Sequence, residues 1–455
     1  MEWIGDHLAV LMFLVLTIIM FVGYPVAFVL GGVALAFGAI GILFDVFRPA
    51  QFGSLMPRIF GQAVQNPVLI AVPMFVFMGT LLEKSGVADE LLRALQVLTR
   101  RIPGGLAMSV TIMGTIMAAT TGIVGASVIM LTLIALPTML AAGYSKELST
   151  GTIASAGTLG ILIPPSIMLI IMADLLSISV GDLFVAALVP GLMLAGTYVI
   201  YITSYAAIDK SVAPPLSADE LNVPREEMPA LLVRSFFPPV FLIALIKGSI
   251  LLGWATPSEA GAVGAFGATI IAFFNGRLKK DMINAVCQSA GLTISFIFFI
   301  IICATCFACV FRSLGGDYLI EDLIAHAELG SWGLLFLIMG IVFVLGFFLD
   351  WVEITLIILP VFAPMVAGLN FGDHVPLENR ATIYWFTVLI AINLQTSFLT
   401  PPFGYALFYL KGIAPREVNL MSIYRGIIPF VILQLLALGM VIMIPSIALW
   451  LPGLS

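Results

Sequence analysis

Leu159-Gly-Ile-Leu-Ile-Pro164-Pro165-Ser166 and Thr396-Ser-Phe-Leu-Thr-Pro401-Pro402-Phe403 decide the fold. The two Pro-Pro pairs lie 237 residues apart, and each interrupts an apolar run long enough to span a bilayer. Proline lacks an N–H and clashes with the preceding turn, so each helix breaks at its pair. A break at membrane depth leaves backbone groups unpaired, which is tolerated only where protein or a water-filled cavity covers them. Matching breaks in the two halves of one chain point to the substrate site of a secondary transporter.

Composition agrees with membrane residence. Of 455 residues, 61% are hydrophobic and 10% charged, with a mean hydropathy of +1.16. Soluble domains carry about 25% charged residues. No stretch is basic enough for nucleic acid. Met1 to Asp6 carries Glu2 and Asp6 and no Lys or Arg, unlike the start of a signal peptide. Cys303-x-x-Cys306-x-x-Cys309 lies in an apolar helix with no fourth thiol or histidine nearby, so these thiols read as packing residues. There is no His-Glu-x-x-His run and no phosphate-binding loop, and His7, His326 and His374 all lie near polar ends. The chain does not read as an enzyme.

Apolar runs predict ten crossings, at about 8–24, 25–46, 66–83, 148–175 (broken), 183–206, 231–252, 259–275, 291–312, 382–411 (broken) and 423–450. Two further apolar pairs, 104–142 and 331–369, each bend in the middle; ordinary two-helix hairpins are the alternative, and they read as re-entrant hairpins. Residues 207–230, rich in proline and in both charge signs, read as a linker between halves. Thr256-Pro-Ser-Glu259 reads as a capping box that starts a helix. The chain divides into N-terminal scaffold crossings 1–83, a first repeat 84–206, the linker, central scaffold crossings 231–290 and a second repeat 291–455.

The halves repeat beyond the prolines. Leu131-Thr-Leu-Ile-Ala-Leu-Pro137 resembles Ile354-Thr-Leu-Ile-Ile-Leu-Pro360, and Glu83-Lys-Ser-Gly86 resembles Arg312-Ser-Leu-Gly315, each followed by an amphipathic stretch. The first stretch carries Arg93, Arg100 and Arg101; the second carries Asp317, Glu321, Asp322 and Glu328 and no Lys or Arg. The excess of basic residues in cytoplasmic loops puts the first inside and the second outside. Equivalent elements on opposite faces make an inverted repeat. Arg277, Lys279, Lys280, Lys411 and Arg416 then fall inside and both termini outside, with Arg48 and Arg58 against the trend. The fold class is an all-α polytopic membrane protein of two inverted repeats, each with a re-entrant hairpin and a broken helix.

The chain resembles the large membrane subunit of a TRAP (tripartite ATP-independent periplasmic) transporter, within the ion-transporter superfamily. The resemblance covers almost the whole chain. It is carried by Val22-Gly-Tyr-Pro-Val-Ala-Phe28, Ala142-Gly-Tyr144, Ile161-Leu-Ile-Pro-Pro-Ser166, Ser179-Val-Gly-Asp-Leu183, Val189-Pro-Gly191, Thr256-Pro-Ser-Glu-Ala260, Gly346-Phe-Phe-Leu-Asp350, Leu359-Pro360, Asn393 and Leu399-Thr-Pro-Pro-Phe-Gly404. It implies an elevator carrier, with a scaffold around a moving domain of hairpins and broken helices. It implies sodium-driven uptake of a small organic acid at the bacterial inner membrane, without ATP and with no cofactor beyond sodium. It also implies a small four-helix membrane subunit and a soluble periplasmic binding protein that selects the substrate. A stand-alone sodium symporter of the same superfamily, or a channel, is the alternative. The family commonly has Asp ten residues before the hairpin proline. Asp350 keeps that place before Pro360, whereas Ser127 stands there before Pro137.

Sodium needs hard oxygen ligands, about five or six of them. Broken helices and hairpin tips offer carbonyls, hydroxyls and carboxylates. The expected first ion site is Thr121, Gly122, Ser127, Thr158 and Gly160; the second is Gly346, Asp350, Asn393, Thr396 and Thr400. Glu353 either shares the second ion or pairs with a base. The substrate region is expected at Pro165, Ser166, Pro402 and Phe403, where half-helix N-termini offer amides to an anion. Asp174 is expected near the outer interface, and Lys411 at the inner end of its helix, snorkelling or meeting a substrate carboxylate.

Overall fold

A computed structural model describes residues 7–121, 124–215, 232–319, 329–376 and 378–453. Those residues form helices and connecting turns. Helices α1 (Leu8–Phe21) and α2 (Val26–Leu43) are followed by a short helical arm through Pro49–Gly53, Leu55–Ile59 and Phe60–Val64. Helix α3 (Ala71–Lys84) bends by 64° into the amphipathic α4 (Val87–Thr99). The first hairpin is α5 (Gly105–Thr121) and α6 (Val124–Ala141). The first broken helix is α7 (Lys146–Thr158), a 3-10 turn Leu159–Ile161 and α8 (Ile167–Leu175), followed by the long α9 (Val180–Ile208).

The central crossings are α10 (Phe237–Leu251), α11 (Pro257–Phe274) and α12 (Lys280–Ser313). The second hairpin is α13 (Ser331–Leu345) and α14 (Trp351–Ala367). The second broken helix is α15 (Ala381–Ser397) and α16 (Tyr405–Ile413), then α17 (Leu420–Met443) and a short α18 (Ser446–Leu449). Six of these helices are long and apolar enough to cross a bilayer alone.

The observed bounds differ from the sequence expectation in three places. Arm residues 49–64, which none of the expected crossings includes, are helical. Helix α12 begins at Lys280, eleven residues before its apolar run, because its first three turns are amphipathic. The last crossing stops at Met443 rather than continuing to 450, since Pro445 lacks the N–H to extend it. Most of the linker and of the second surface stretch, including Glu321, Asp322 and Glu328, lies outside the described residues.

Helix starts follow local chemistry. Thr256 accepts from the Glu259 amide while the Glu259 carboxylate takes the Thr256 amide at 2.7 Å, the expected capping box. Ser145, Ser166, Ser179 and Asn419 cap α7, α8, α9 and α17. The connections before α4 and after α12 turn at glycines with positive φ, Gly86 (+73°) and Gly315 (+84°), at matching places in the two halves.

Packing is pseudo-symmetric. The second arm of each hairpin packs on the second half of the other repeat's broken helix, α6 on α16 and α14 on α8. The ends are tied in the same crossed fashion. Lys146, at the start of α7, donates to the Glu417 carbonyl beyond α16 at 2.9 Å. Arg380, at the start of α15, donates to the Ser177 carbonyl beyond α8 at 2.8 Å. Around this core, α12 packs on α2, α3 and the arm, and α11 packs on α3.

Helices α7 and α17 touch backbone to backbone. A Cβ at Gly426 would overlap the Glu147 carbonyl, and one at Gly151 would overlap the Gly426 carbonyl. In lipid such close approach drives helix association by van der Waals contact. Gly426→Ala is expected to cost about 1–3 kcal/mol of stability by overpacking. Thermal unfolding of the purified variant in detergent checks this, and an unchanged melting temperature would contradict the observed contact.

Candidate ion and substrate site

Each hairpin leans on the break of its own repeat. In the first repeat a Cβ on Gly157 would stand 3.1 Å from the Val128 amide nitrogen and 2.6 Å from its Cγ2. Ser127 and Val128 therefore lie against the end of α7, beside Thr158. Ser127, Thr158 and Gly160 are all buried. Gly122 and the side chain of Thr121 lie outside the described residues.

In the second repeat the contact is closer. A Cβ on Gly346 would overlap Ser397 Oγ and stand 2.7 Å from Ser397 Cβ. Gly346 caps the C-terminus of α13, and Ser397 is the last residue of α15. Two helix C-termini thus converge, each with the partial negative charge of its unpaired carbonyls. Asp350 and Glu353 sit four and seven residues beyond Gly346 at the start of α14. Asp350 Oδ1 accepts from the Trp351 amide at 2.7 Å, and Glu353 Oε2 accepts from the Asp350 amide at 3.1 Å. Glu353 is 8% exposed. Neither carboxylate has a basic partner among the described residues, so Glu353 does not pair with a base there.

The other expected ligands of the second site hold backbone carbonyls. Asn393 Nδ2 donates to the Met339 carbonyl of α13 at 2.7 Å. Thr396 and Thr400 donate to the carbonyls of Ile392 and Thr396, each at 2.8 Å. Back-bonding of this kind uses the hydroxyl hydrogen. The oxygen lone pairs stay able to face a hard cation.

Gln395 and Ser397, which the sequence reading did not single out, touch candidate ligands of the two sites. Gln395 is fully buried, and its Nε2 donates to Thr158 Oγ1 at 3.3 Å. The two residues are 237 apart, the offset of the proline pairs, so they are repeat mates meeting across the pseudo-two-fold axis. That shared offset was the available signal.

The substrate region is not symmetric. Pro165 and Ser166 are buried, and Ser166 Oγ donates to the Ile161 carbonyl at 2.7 Å while accepting from the Leu169 amide at 3.4 Å. Ser166 thereby caps one amide at the start of α8, that of Leu169. Pro402 and Phe403 are exposed. Phe403 lies 5.0 Å from Phe348 of the second hairpin, centroid to centroid, and Tyr424 donates to the Pro402 carbonyl. Beside Phe398, Tyr405 and Tyr409 share a hydroxyl contact, and Tyr409 covers Gly125 of the first hairpin, tying it to α16.

Asp174 accepts both contacts, at 2.8 Å, from Nδ2 of Asn66 beyond the arm. Lys411 donates to the Val418 carbonyl at 2.7 Å, so it closes a turn rather than facing the breaks.

The geometry of two hairpins crossed with two broken helices matches a solved transporter over 98% of each chain. That structure is the YdaH transporter of Alcanivorax borkumensis, at a TM-score of 0.60 and 12% identity, a likeness of fold alone. A family model described as "Tripartite ATP-independent periplasmic transporter, DctM component" matches residues 12–447. The chain belongs to this family. Among similar TRAP large permeases, the C4-dicarboxylate protein DctM of Pseudomonas aeruginosa is 31% identical over 91% of this chain and 92% of its own. The ectoine protein TeaC of Halomonas elongata is 30% identical over 85% and 86%. The 2,3-diketo-L-gulonate protein YiaN of Escherichia coli is 28% identical over 94% of each. The chain is thus a multi-pass TRAP permease, and the breaks and hairpins above are the core of its fold.

Proposed function

We propose that this TRAP permease drives uptake of a small organic acid with sodium, by an elevator movement of the hairpins and broken helices against the outer helices. The observation that carries the reading is the meeting of α13 and α15 at Gly346 and Ser397, with Asp350 and Glu353 close by in sequence and, among the described residues, no basic partner for either carboxylate. Two negative helix ends and two carboxylates in an apolar surround favour a cation. Sodium suits their all-oxygen donors. Gly346, Asp350, Asn393, Thr396 and Thr400 are its ligands, with Gly346 contributing its carbonyl. The first site, at Thr121, Gly122, Ser127, Thr158 and Gly160, holds a second sodium more weakly, because Ser127 supplies a dipole where Asp350 supplies a charge. The substrate lies at the exposed second break, near Pro402 and Phe403, with the buried Pro165 and Ser166 forming its rigid counterpart.

The matching family is tripartite. The partners here are a small membrane subunit and a periplasmic binding protein that chooses the acid. C4-dicarboxylate and diketogulonate relatives favour an acid; the ectoine relative extends the range to a zwitterion. Ile18, Tyr24 and Phe28, each more than 60% exposed, make an apolar face along α1, the turn after it and α2 for the small subunit. The chain resides in the bacterial inner membrane with both termini in the periplasm and the basic end of α4 in the cytoplasm.

The orientation has a direct test. Tyr318→Cys in intact cells is expected to react with an impermeant thiol reagent added outside, and Arg101→Cys is not. Both positions are exposed on the structure. The reverse pattern would overturn the orientation.

A further inference from the structure

Helix α14 carries Pro360 and, four residues on, Pro364. In an α-helix the carbonyl of residue i accepts from the N–H of residue i+4. Pro364 has none, so the Pro360 carbonyl has no donor within its own helix. Arg312, near the C-terminus of α12, supplies one: its Nη2 donates to Pro360 O at 3.1 Å. The guanidinium also faces Asp317 at 3.7 Å, with both side chains about half exposed. An exposed ion pair of that length holds weakly.

The contact joins two parts of the molecule. Helix α12 packs on α2, α3 and the arm and also directly on α14, which is the second arm of the second hairpin and packs on α8 as well. Next to the contact is a cavity of about 440 Å³ lined by Gln62, Asn66, Asp174, Thr305, Arg312 and Pro360, among others. Outer helices form one wall, and α8 and α14 form the other. The first repeat has no counterpart: four residues after Pro137 stands Ala141, which keeps its N–H.

We propose that Arg312 is a latch. It fastens the second hairpin to α12 through the carbonyl that Pro364 leaves without a donor, and it must let go for the hairpin to slide. This rests on the elevator reading above. Arg312 touches no ion or substrate in this role; it positions the hairpin that does.

The test frees the latch in two independent ways. Arg312→Ala removes the donor. Pro364→Ala keeps Arg312 but gives the Pro360 carbonyl a helical N–H, so the guanidinium is no longer required. Thr305→Cys in the cavity wall, in a full-length chain whose four native cysteines are changed to alanine, reports opening through its rate of reaction with an impermeant thiol reagent in membranes. Both variants are expected to speed labelling several-fold, and the double variant no further than either alone, because the two changes break one contact. Arg312→Lys, which can still donate, is expected to stay near the parent. Labelling unchanged by Pro364→Ala, or single effects that multiply in the double variant, would overturn the latch. A variant that fails to label through misfolding is recognised by a lowered melting temperature, and Arg312→Lys then carries the test: a several-fold faster rate in that folded variant counts against the proposal, and a parent-like rate supports it. Labelling needs no transport, so failure of sodium-driven uptake and failure of the latch are separate results.

Discussion

Asp350→Asn is expected to abolish sodium-driven uptake or raise the sodium requirement roughly 100-fold, while Ser127→Ala raises it only about fivefold. The difference follows from charge. Asparagine keeps the shape of Asp350 and its acceptor for the Trp351 amide, but a full charge near two helix C-termini is lost. At an effective dielectric of about 20, a charge–charge contact of about 4 Å is worth up to about 4 kcal/mol, and losing about 3 kcal/mol gives roughly 100-fold. A hydroxyl ligand contributes about 1 kcal/mol. Ser127→Asp supplies a second charge at the repeat-equivalent place and is expected to be tolerated better than Asp350→Asn. Initial uptake rate against sodium concentration, in proteoliposomes with both partners present, separates these outcomes. An Asp350→Asn protein with unchanged sodium dependence would confine Asp350 to capping α14.

Gly346→Ala is the second large effect. The added methyl would overlap Ser397 Oγ and lie 2.7 Å from its Cβ, so α13 and α15 must separate at the proposed ion site. Overpacking of this kind costs about 1–3 kcal/mol. Here the displaced atoms are those around the proposed ligands, so uptake is expected to fall roughly tenfold or more. Ser397→Gly removes both clashing atoms. The double variant Gly346→Ala with Ser397→Gly is therefore expected to recover much of the uptake that the single variant loses. Equal loss in both would mean that the Gly346 backbone conformation matters rather than its contact with Ser397.

The breaks were legible because proline acts locally: a missing N–H interrupts a helix whatever surrounds it. The hairpins were legible as apolar pairs that bend in the middle, and the α11 start from the Thr256 to Glu259 spacing. The site partners were less so. Ser397 and Gln395 read as ordinary polar residues in an apolar helix, and what singles them out is contact with Gly346 and Thr158 across long stretches of chain. The two breaks differ just after their prolines, where Ser166 caps the Leu169 amide and Phe403 stands at the matching place, a difference in side-chain chemistry that the repeat does not carry. The Pro360 to Arg312 contact shows the same limit. Proline spacing reveals a carbonyl in need, but only the packing of α12 on α14 reveals the donor.

Uptake by the assembled transporter tests the central claim most directly. The chain is reconstituted in proteoliposomes with its small subunit, the binding protein is added outside, and the acid that stabilises the binding protein in a thermal-shift screen is supplied as labelled substrate. Accumulation is expected only when the binding protein and an inward sodium gradient are both present, and it is expected to collapse when the gradient is dissipated. Accumulation by the chain alone, or at the same rate without sodium, would contradict it.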